Sequence, residues 1–465
     1  MPLSVIESCF PSRGSGLNPQ ANCSRRILLL SALAALGPSV AHAQVPSPDM
    51  PGMPQAATLI DTELQHTASG TSIEPASTPM QMLMHREGGW TLMLHGVAFA
   101  ADTQQQAAHQ RGADKLLSTN WIMPMARRRL GSRGQLTLRT MLSLEPATIT
   151  GRFYPELFQQ GETAFGHPIV DGQHPHDFVM ELAALFDLRT SERTLLSLYA
   201  APVGDPAIGP TAYPHRQSAS EDPIAALGHH QQDSTHIAFN VLTAGFTWRT
   251  LRIETSGFHG AEPTEARWQV QPSPNGLAID SASTRLTWSP APSLSAQYSI
   301  AQIASPEALS PGQNQRRQTA SVMLNRSFGA RQQMAGMAMP GDSPATGNWA
   351  STLLWGQTRN QTTGNLENSY LLESLLQLRR RNHLWTRVES AARTTELLNP
   401  AAPETAIGHV QAYTLGYDRD YRILPRLLAA PGAQFTLYRT PGSLVSTYGR
   451  DPFGAVAFVR FRFAH

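Results

Sequence analysis

The sequence predicts an all-β chain: a transmembrane, antiparallel, up-and-down β-barrel of about sixteen strands, with short turns at one end and long loops at the other. Three observations predict it. Segments of roughly ten residues with alternating apolar and polar side chains recur along the chain and end in turn residues. Beyond the first few dozen residues no apolar run approaches the about 18 residues that a spanning helix needs. The connections between segments alternate between short and long, as they do between the two faces of a membrane barrel but not in a soluble sandwich or propeller.

The N-terminus has the three regions of an export signal. Arg25 and Arg26 precede the apolar run Ile27 to Leu36, and Ala41-His42-Ala43 forms a small-residue cleavage site, so residues 1–43 are expected to be a signal peptide. The apolar run is too short to anchor the chain as a helix of about 20 residues. Cys9 and Cys23 both precede the cleavage site. The mature chain then has no thiol, which excludes disulfides, thiolate metal sites and cysteine catalysis. Cleavage removes three arginines and one glutamate, which takes the formal charge from +2 to zero. No basic field remains to attract nucleic acid. Lys115 is the only lysine, so the positive charge is almost all guanidinium.

Residues 44–88, rich in Pro, Ser, Thr and Met, form an extension on the periplasmic side, mobile or plug-like, ahead of a barrel that occupies 89–465. Strand segments are expected near 89–101, 116–129, 135–145, 178–189, 194–202, 235–248, 251–259, 279–289, 293–303, 317–327, 347–357, 368–379, 383–393, 409–420, 428–438 and 454–463. The last is the clearest, with Ala455, Ala457, Val459, Phe461 and Phe463 on one face and Arg460 and Arg462 on the other. Leu136 and Leu138 alternate with Thr137 and Arg139, Leu251 and Ile253 with Arg252 and Glu254, and Leu384 and Val388 flank Arg387, with Glu389 next in line. Pro124 counts against the second segment, because proline removes a ladder donor. Inward-turned His95, Arg139, Arg252, Arg387, Glu389, Arg460 and Arg462 are expected to line a polar lumen.

Gaps after even-numbered segments are mostly short, which puts both ends of the barrel in the periplasm of a Gram-negative cell and the protein in its outer membrane. Two external connections are long, Pro146 to Asp177 and Val203 to Ser234. The second is the third external loop, and in this plan the chain resembles the general porins, whose third loop folds inward and narrows the channel. That resemblance also implies a homo-oligomer. The aromatic last strand is similar to the one that outer-membrane proteins present to the barrel assembly machinery, although Ala464 and His465 follow Phe463 here.

Fifteen histidines remain after cleavage, and seven of them (His167, His174, His176, His215, His229, His230, His236) fall in or beside the two long loops. Asp171, Asp177, Asp222 and Asp233 are interleaved with them. Imidazole with carboxylate suits zinc, copper or nickel. The candidate ligands are His174, His176, Asp177, His215, His229, His230, Asp233 and His236, and the proline of His174-Pro-His176 is expected to aim those two rings the same way. The competing reading is that these are polar loop residues tied to aspartates, since no pair has the helical His-x-x-x-His spacing. Methionine is the second bias: Met50 and Met53, then Met80, Met82 and Met84 in alternation, then Met334, Met337 and Met339 in the one periplasmic connection that is not short. Thioethers select Cu(I). Met and His together over Gln44 to about Met93 resemble the copper-resistance outer-membrane proteins, without their dense repeats. The motifs Phe153-Tyr-Pro-Glu-Leu-Phe158, Asp171 to Asp177, and Tyr213-Pro-His-Arg216 through His236 resemble an uncharacterised group of bacterial outer-membrane proteins found in metal-efflux settings.

Ser234 with His236, two apart on an expected strand, is the one pair with the spacing of a nucleophile and base, and no oxyanion-hole motif accompanies it. The expected function is passage or binding of a small polar solute or metal ion, copper or zinc being the candidate ions, with no covalent chemistry. The competing functions are a closed, non-conducting structural or binding barrel and an outer-membrane hydrolase.

Overall fold

The structure is a computed structural model that describes residues 56, 58–270, 278–329, 346–401 and 404–464. Sixteen strands form the barrel: β1 (Trp90–Gln106), β2 (Asn120–Leu130), β3 (Gly134–Leu142), β4 (Val179–Ser191), β5 (Thr194–Gly204), β6 (Ala238–Trp248), β7 (Leu251–His259), β8 (Ser281–Ala291), β9 (Leu294–Ile303), β10 (Gln315–Phe328), β11 (Gly347–Asn360), β12 (Leu366–Leu378), β13 (Asn382–Thr394), β14 (Ala406–Arg419), β15 (Leu427–Arg439) and β16 (Phe453–Phe463). Each pairs antiparallel with its sequence neighbours. The barrel closes where β16 returns to β1, from Val97 opposite Arg462 to Gln106 opposite Phe453. Every expected segment is present, with boundaries moved by a few residues. β2 tolerates Pro124 because its side chain is outward and exposed, opposite Leu94. Leu116 and Leu117, expected as the start of that strand, belong instead to Asp114–Leu117, which pairs separately with Ala101–Gln104 of β1.

Period-two alternation sorts side chains between two environments. Outward positions are apolar and exposed, among them Leu198, Leu242, Leu353 and Leu415, each more than half accessible. Water disfavours such a surface and a hydrocarbon layer does not. Trp248, Trp288, Trp349 and Tyr417 are also outward, close to the short-turn end, where interfacial aromatics belong. No described helix is long and apolar enough to cross a membrane.

Inward positions are polar yet buried, because the interior is filled. Residues 58–82 enter first. The short helix α1 (Leu59–Glu63), whose N-terminus is capped by the Thr58 side chain accepting from the Asp61 amide, places Glu63 3.1 Å from Arg252 and within reach of Thr247. Arg139 donates to the carbonyls of His66, Ala68 and Gly70 and forks onto Glu181, while Arg252 and Arg285 hold Thr71. His66 meets Asp187 at 2.7 Å. Gly70 has φ +57°, and a Cβ there would lie 2.6 Å from the Asp205 carbonyl oxygen, so only glycine fits this approach. Residues 58–82 of the extension therefore pack inside the barrel wall, and Leu83–Glu87 pairs with β1. Met50, Met53, Met337, Met339 and the expected signal segment, residues 1–43, lie outside the described residues.

Candidate metal site and the filled lumen

The loop joining β5 and β6 (residues 205–237, here L3) fills the rest of the interior. Arg216 bridges Glu373 of β12 and Asp233 of its own loop, the latter at 2.8 Å. Asp222 pairs with Arg387 of β13 at 3.0 Å, and Arg387 also donates to the carbonyls of Ile224 and Ala225. Arg393 donates to Leu227 O and Arg317 to Ser234 and Thr235. Glu221, at the tip, contacts Arg460 and Arg462, the latter at 2.8 Å. Burial would raise the Glu221 carboxyl, but Arg460, Arg462 and His383 outweigh burial and hold it well below the usual carboxylate range. Thus Arg139, Arg252, Arg387, Glu389, Arg460 and Arg462 do turn inward, and they serve as anchors for the inserted segments instead of facing an open channel.

The loop joining β3 and β4 (residues 143–178, here L2) closes over L3 at the long-loop end. Its Phe153-Tyr-Pro-Glu-Leu-Phe158 motif is almost wholly buried, with Leu157 and Phe158 packed among Leu227, Val410, Tyr438 and Tyr448. Lys115 donates to the L2 carbonyls of Thr150 and Phe153. Asp171 binds Arg111 at 2.7 Å and accepts from Tyr448 and the Phe158 amide.

Where the loops meet, the eight candidate ligands separate. His176 from L2 and His229 and His236 from L3 form one group, with ring centroids 5.3 Å apart for His176–His236 and for His229–His236. Each Nδ1 is fixed from behind: His176 to Glu145 at 3.0 Å, His229 to Asp233 at 2.5 Å, His236 to the Asp233 carbonyl at 2.8 Å. Ligating histidines are oriented in this way. The Nε2 of His236 is buried without a hydrogen-bond partner among the described residues, and that of His176 lies 3.4 Å from the Tyr213 hydroxyl. Burial, together with His176 and His229, lowers His236 to about 3, and burial also lowers His229. Both are therefore neutral and available as ligands at pH 7. For His176 the Glu145 carboxylate outweighs burial and raises it.

His174 and His230 instead share Glu162, at 2.6 Å for His230. Burial opposes the charge on His230, but Glu162 prevails and pushes it up to about 9, so His230 is a cation in an ion pair. The two rings of His174-Pro-His176 consequently serve different partners, contrary to the expectation that they act together: Glu162 takes one and Glu145 the other. Asp177 pairs with Arg267 at 3.5 Å and stands apart. His215 lies against Trp121, His95 and Met141. Asp233 orients histidines and is itself held low, since His229 and Arg216 outweigh its burial.

Ser234 and His236 lie on a 3-10 turn that precedes β6, not on a strand. Ser234 Oγ accepts from Arg317 at 2.8 Å and donates to the His230 carbonyl, so it is not bonded to His236. Among the described residues, Glu221, His383 and Asp418 are the trio whose ligand atoms approach within 4.8 Å of one another. Sequence reasoning gave no sign of it, because its members are far apart in the chain. Arg460 and Arg462 already neutralise this cluster, so it is a latch for the L3 tip and not a vacant cation site. The acidic residues around the outer mouth were also missed. Glu262 and Glu396 are pushed up to about 7 and Glu404 to about 8, first by burial and then by other carboxylates, Glu307 among them. Spacing in sequence carried no signal for them.

A closed antiparallel barrel with an apolar exterior, alternating loop lengths and an internal polar network is an outer-membrane β-barrel. No family model matches the chain. A search among curated proteins likewise finds no match. Solved structures similar in fold include the anion-selective porin from Comamonas acidovorans, 12% identical over 80% of this chain and 100% of that one, with a TM-score of 0.47. Salmonella typhi OmpF, solved in complex with daunomycin, is 10% identical over 82% and 100%, with a TM-score of 0.48. OmpT, an outer membrane protein of Vibrio cholerae, is 7% identical over 82% and 100%, with a TM-score of 0.43.

Proposed function

We propose that the chain is a plugged outer-membrane barrel that takes up a divalent transition-metal ion at its outer mouth, with His176, His229 and His236 as ligands and L3 as the element that must move for passage. The carrying observation is the set of three imidazoles from two loops, each with Nδ1 anchored from behind, surrounding a buried Nε2 without a hydrogen-bond partner. These rings are more open than a loaded site, so an ion would draw them together by side-chain rotation. At pH above about 8, where they ionise, the mouth carboxylates Glu262, Glu396 and Glu404 would gather cations ahead of them. No covalent step is involved. A non-conducting binding barrel is the second reading, favoured by an interior occupied from both ends.

The test is calorimetric titration of the refolded mature protein with zinc. One tight equivalent that disappears in a His176→Ala/His229→Ala/His236→Ala variant supports the site. Binding that survives the triple substitution overturns it. Planar-bilayer recording then separates the two readings: metal-dependent current steps favour passage, and silence with retained binding favours the non-conducting barrel.

A further inference from the structure

Methionine is unevenly placed in the barrel wall. Of the six on barrel strands, Met93, Met123, Met125, Met141 and Met180 lie on β1–β4, and Met323 alone lies elsewhere. All six are at most 3% exposed, so none serves the lipid face. On β7–β9 most buried inward positions are instead polar, Arg252, Glu254 and Arg285 among them, and the apolar ones are Phe258, Ala301 and Ile303, none of them methionine. The apolar exterior, where bulk alone matters, uses Leu, Ile, Val and aromatics. Choice of methionine on one inward patch points to sulfur and not merely to volume.

Strand register draws these sulfurs together. Met93 is opposite Met125, and His95 is opposite Met123. The β2–β3 register, with Ile122 opposite Leu142 and Met125 opposite Arg139, sets Met123 against Met141. Met141 in turn faces Glu181, next to Met180. Directly opposed residues on one face have Cβ atoms about 4.5–5.5 Å apart, within mutual reach of thioether side chains. Met82 of the inserted segment packs on the patch, with Met80 and Met84 beside it. From L3, the His215 Nε2 lies 3.2 Å from the Met141 sulfur, and its ring is 5.9 Å from that of His95. The Nδ1 atoms of both histidines are buried without a hydrogen-bond partner among the described residues. A cavity of about 80 Å³ adjoins them, lined by Met80, Met82, His95, Trp121 and His215.

Flexible apolar filling is the ordinary use of methionine. It does not explain two imidazoles left with unpaired ring nitrogens in the same patch, because an unsatisfied buried polar atom is costly. A set of neutral thioethers with imidazole suits a soft monovalent cation, and the carboxylate facing Met141, Glu181, is committed to Arg139 and Tyr199. We propose that Met93, Met123 and Met141, with His215, form a site for a soft d10 monovalent cation of the Cu(I) or Ag(I) class inside the barrel. This site is separate from the histidine trio and does not depend on it.

The experiment is titration of the refolded mature protein with Ag(I), with Cu(I) measured against a chromophoric competitor. Met123→Leu/Met141→Leu keeps apolar volume and the fold, which heat-modifiable gel mobility checks. The proposal expects about one equivalent of Ag(I) in the native protein. It also expects a roughly 10–100-fold loss of affinity in the double variant and in His215→Gln. Sulfur scatterers should appear in the X-ray absorption spectrum of the Cu(I) form, and zinc binding should be unchanged in both variants. Native affinity in the folded double variant overturns the proposal, as does a folded native protein that takes up no Ag(I). Loss of zinc binding in the histidine triple variant, with Ag(I) binding intact, keeps the two sites distinguishable.

Discussion

The two sides of the barrel interior hold their contents by different means. Along β10–β16 the wall offers Arg317, Glu373, Arg387, Arg393, Arg460 and Arg462, and nearly every one is matched by a charge or carbonyl of L3. Along β1–β4 the wall that faces L3 is methionine, Trp121 and His95, with a cavity beside them, while Arg139 and Glu181 on the same strands bind residues 66–70 and not L3. Buried ion pairs are strong only as complete sets, because removing one partner strands the other in a poorly solvated place. A thioether surface can shift without such a penalty. The difference teaches that L3 is locked on one flank and free to adjust on the other, so motion of the loop would begin on the methionine flank.

The largest effect is expected from Arg216→Met, which removes the guanidinium shared by Glu373 and Asp233, leaving them with Arg387 and His229, at a cost of about 3–5 kcal/mol. L3 should unseat, and bilayer recordings should show larger or more frequent conductance steps than the native protein gives, since sixteen strands enclose enough width for water. A variant that conducts no more than the native chain and is as heat-resistant would show that the ion-pair flank is not the lock. Removing residues 44–78 comes next. Arg139, Glu181 and Arg252 lose their contacts to His66, Ala68, Gly70, Thr71 and Glu63, although Arg139 keeps Glu181 and Arg252 keeps Glu254, and the midpoint of the heat-induced gel shift should fall while L3 still limits conduction. Gly70→Ala should cost about 1–2 kcal/mol, from the left-handed backbone and the clash with Asp205. Hydrogen exchange should then quicken in residues 58–82 and not in L3.

The smallest effect is on pH. Burial pushes Glu74 up to about 7 against the pull of Arg216. A carboxyl raised above its unfolded value of about 4.3 stabilises docking fully below that value and loses this contribution as pH rises through 7. Protection factors in residues 58–82, with the base-catalysed intrinsic rate divided out, should therefore be higher at pH 5 than at pH 8, and Glu74→Gln should flatten the dependence.

Strand positions were legible because each spanning segment carries its own two-residue period: Leu251, Arg252, Ile253 and Glu254 announce two environments with no partner in view. The clustering of histidines in the long loops was visible too, since it is a local bias. Their partition was not. His174 and His176 are told apart only by Glu162 and Glu145, which tertiary packing brings to them. A plug-like extension was among the readings of residues 44–88, but the contacts that hold residues 58–82 were hidden for a similar reason. That stretch has no periodicity of its own, and its partners Arg139, Glu181, Thr247 and Arg252 are spread over four strands. The methionine patch left a trace, Met123 and Met125 at inward parity with Met93 on the strand before, but its meaning depends on register.

The stagger of the barrel leaves β1 longer than its partner at the seam. β16 reaches β1 only as far as Val97, so residues 90–96 would present bare amides and carbonyls on that side. Leu83–Glu87 folds back and pairs there, from Leu83 opposite Leu94 to Glu87 opposite Trp90. The stretch that carries the inserted segment into β1 thus also guards an edge against strangers. A chain cut at residue 78 keeps that guard and should stay monodisperse in detergent. One cut at residue 89 loses it, and its exposed seam becomes a template on which a second chain can add a strand.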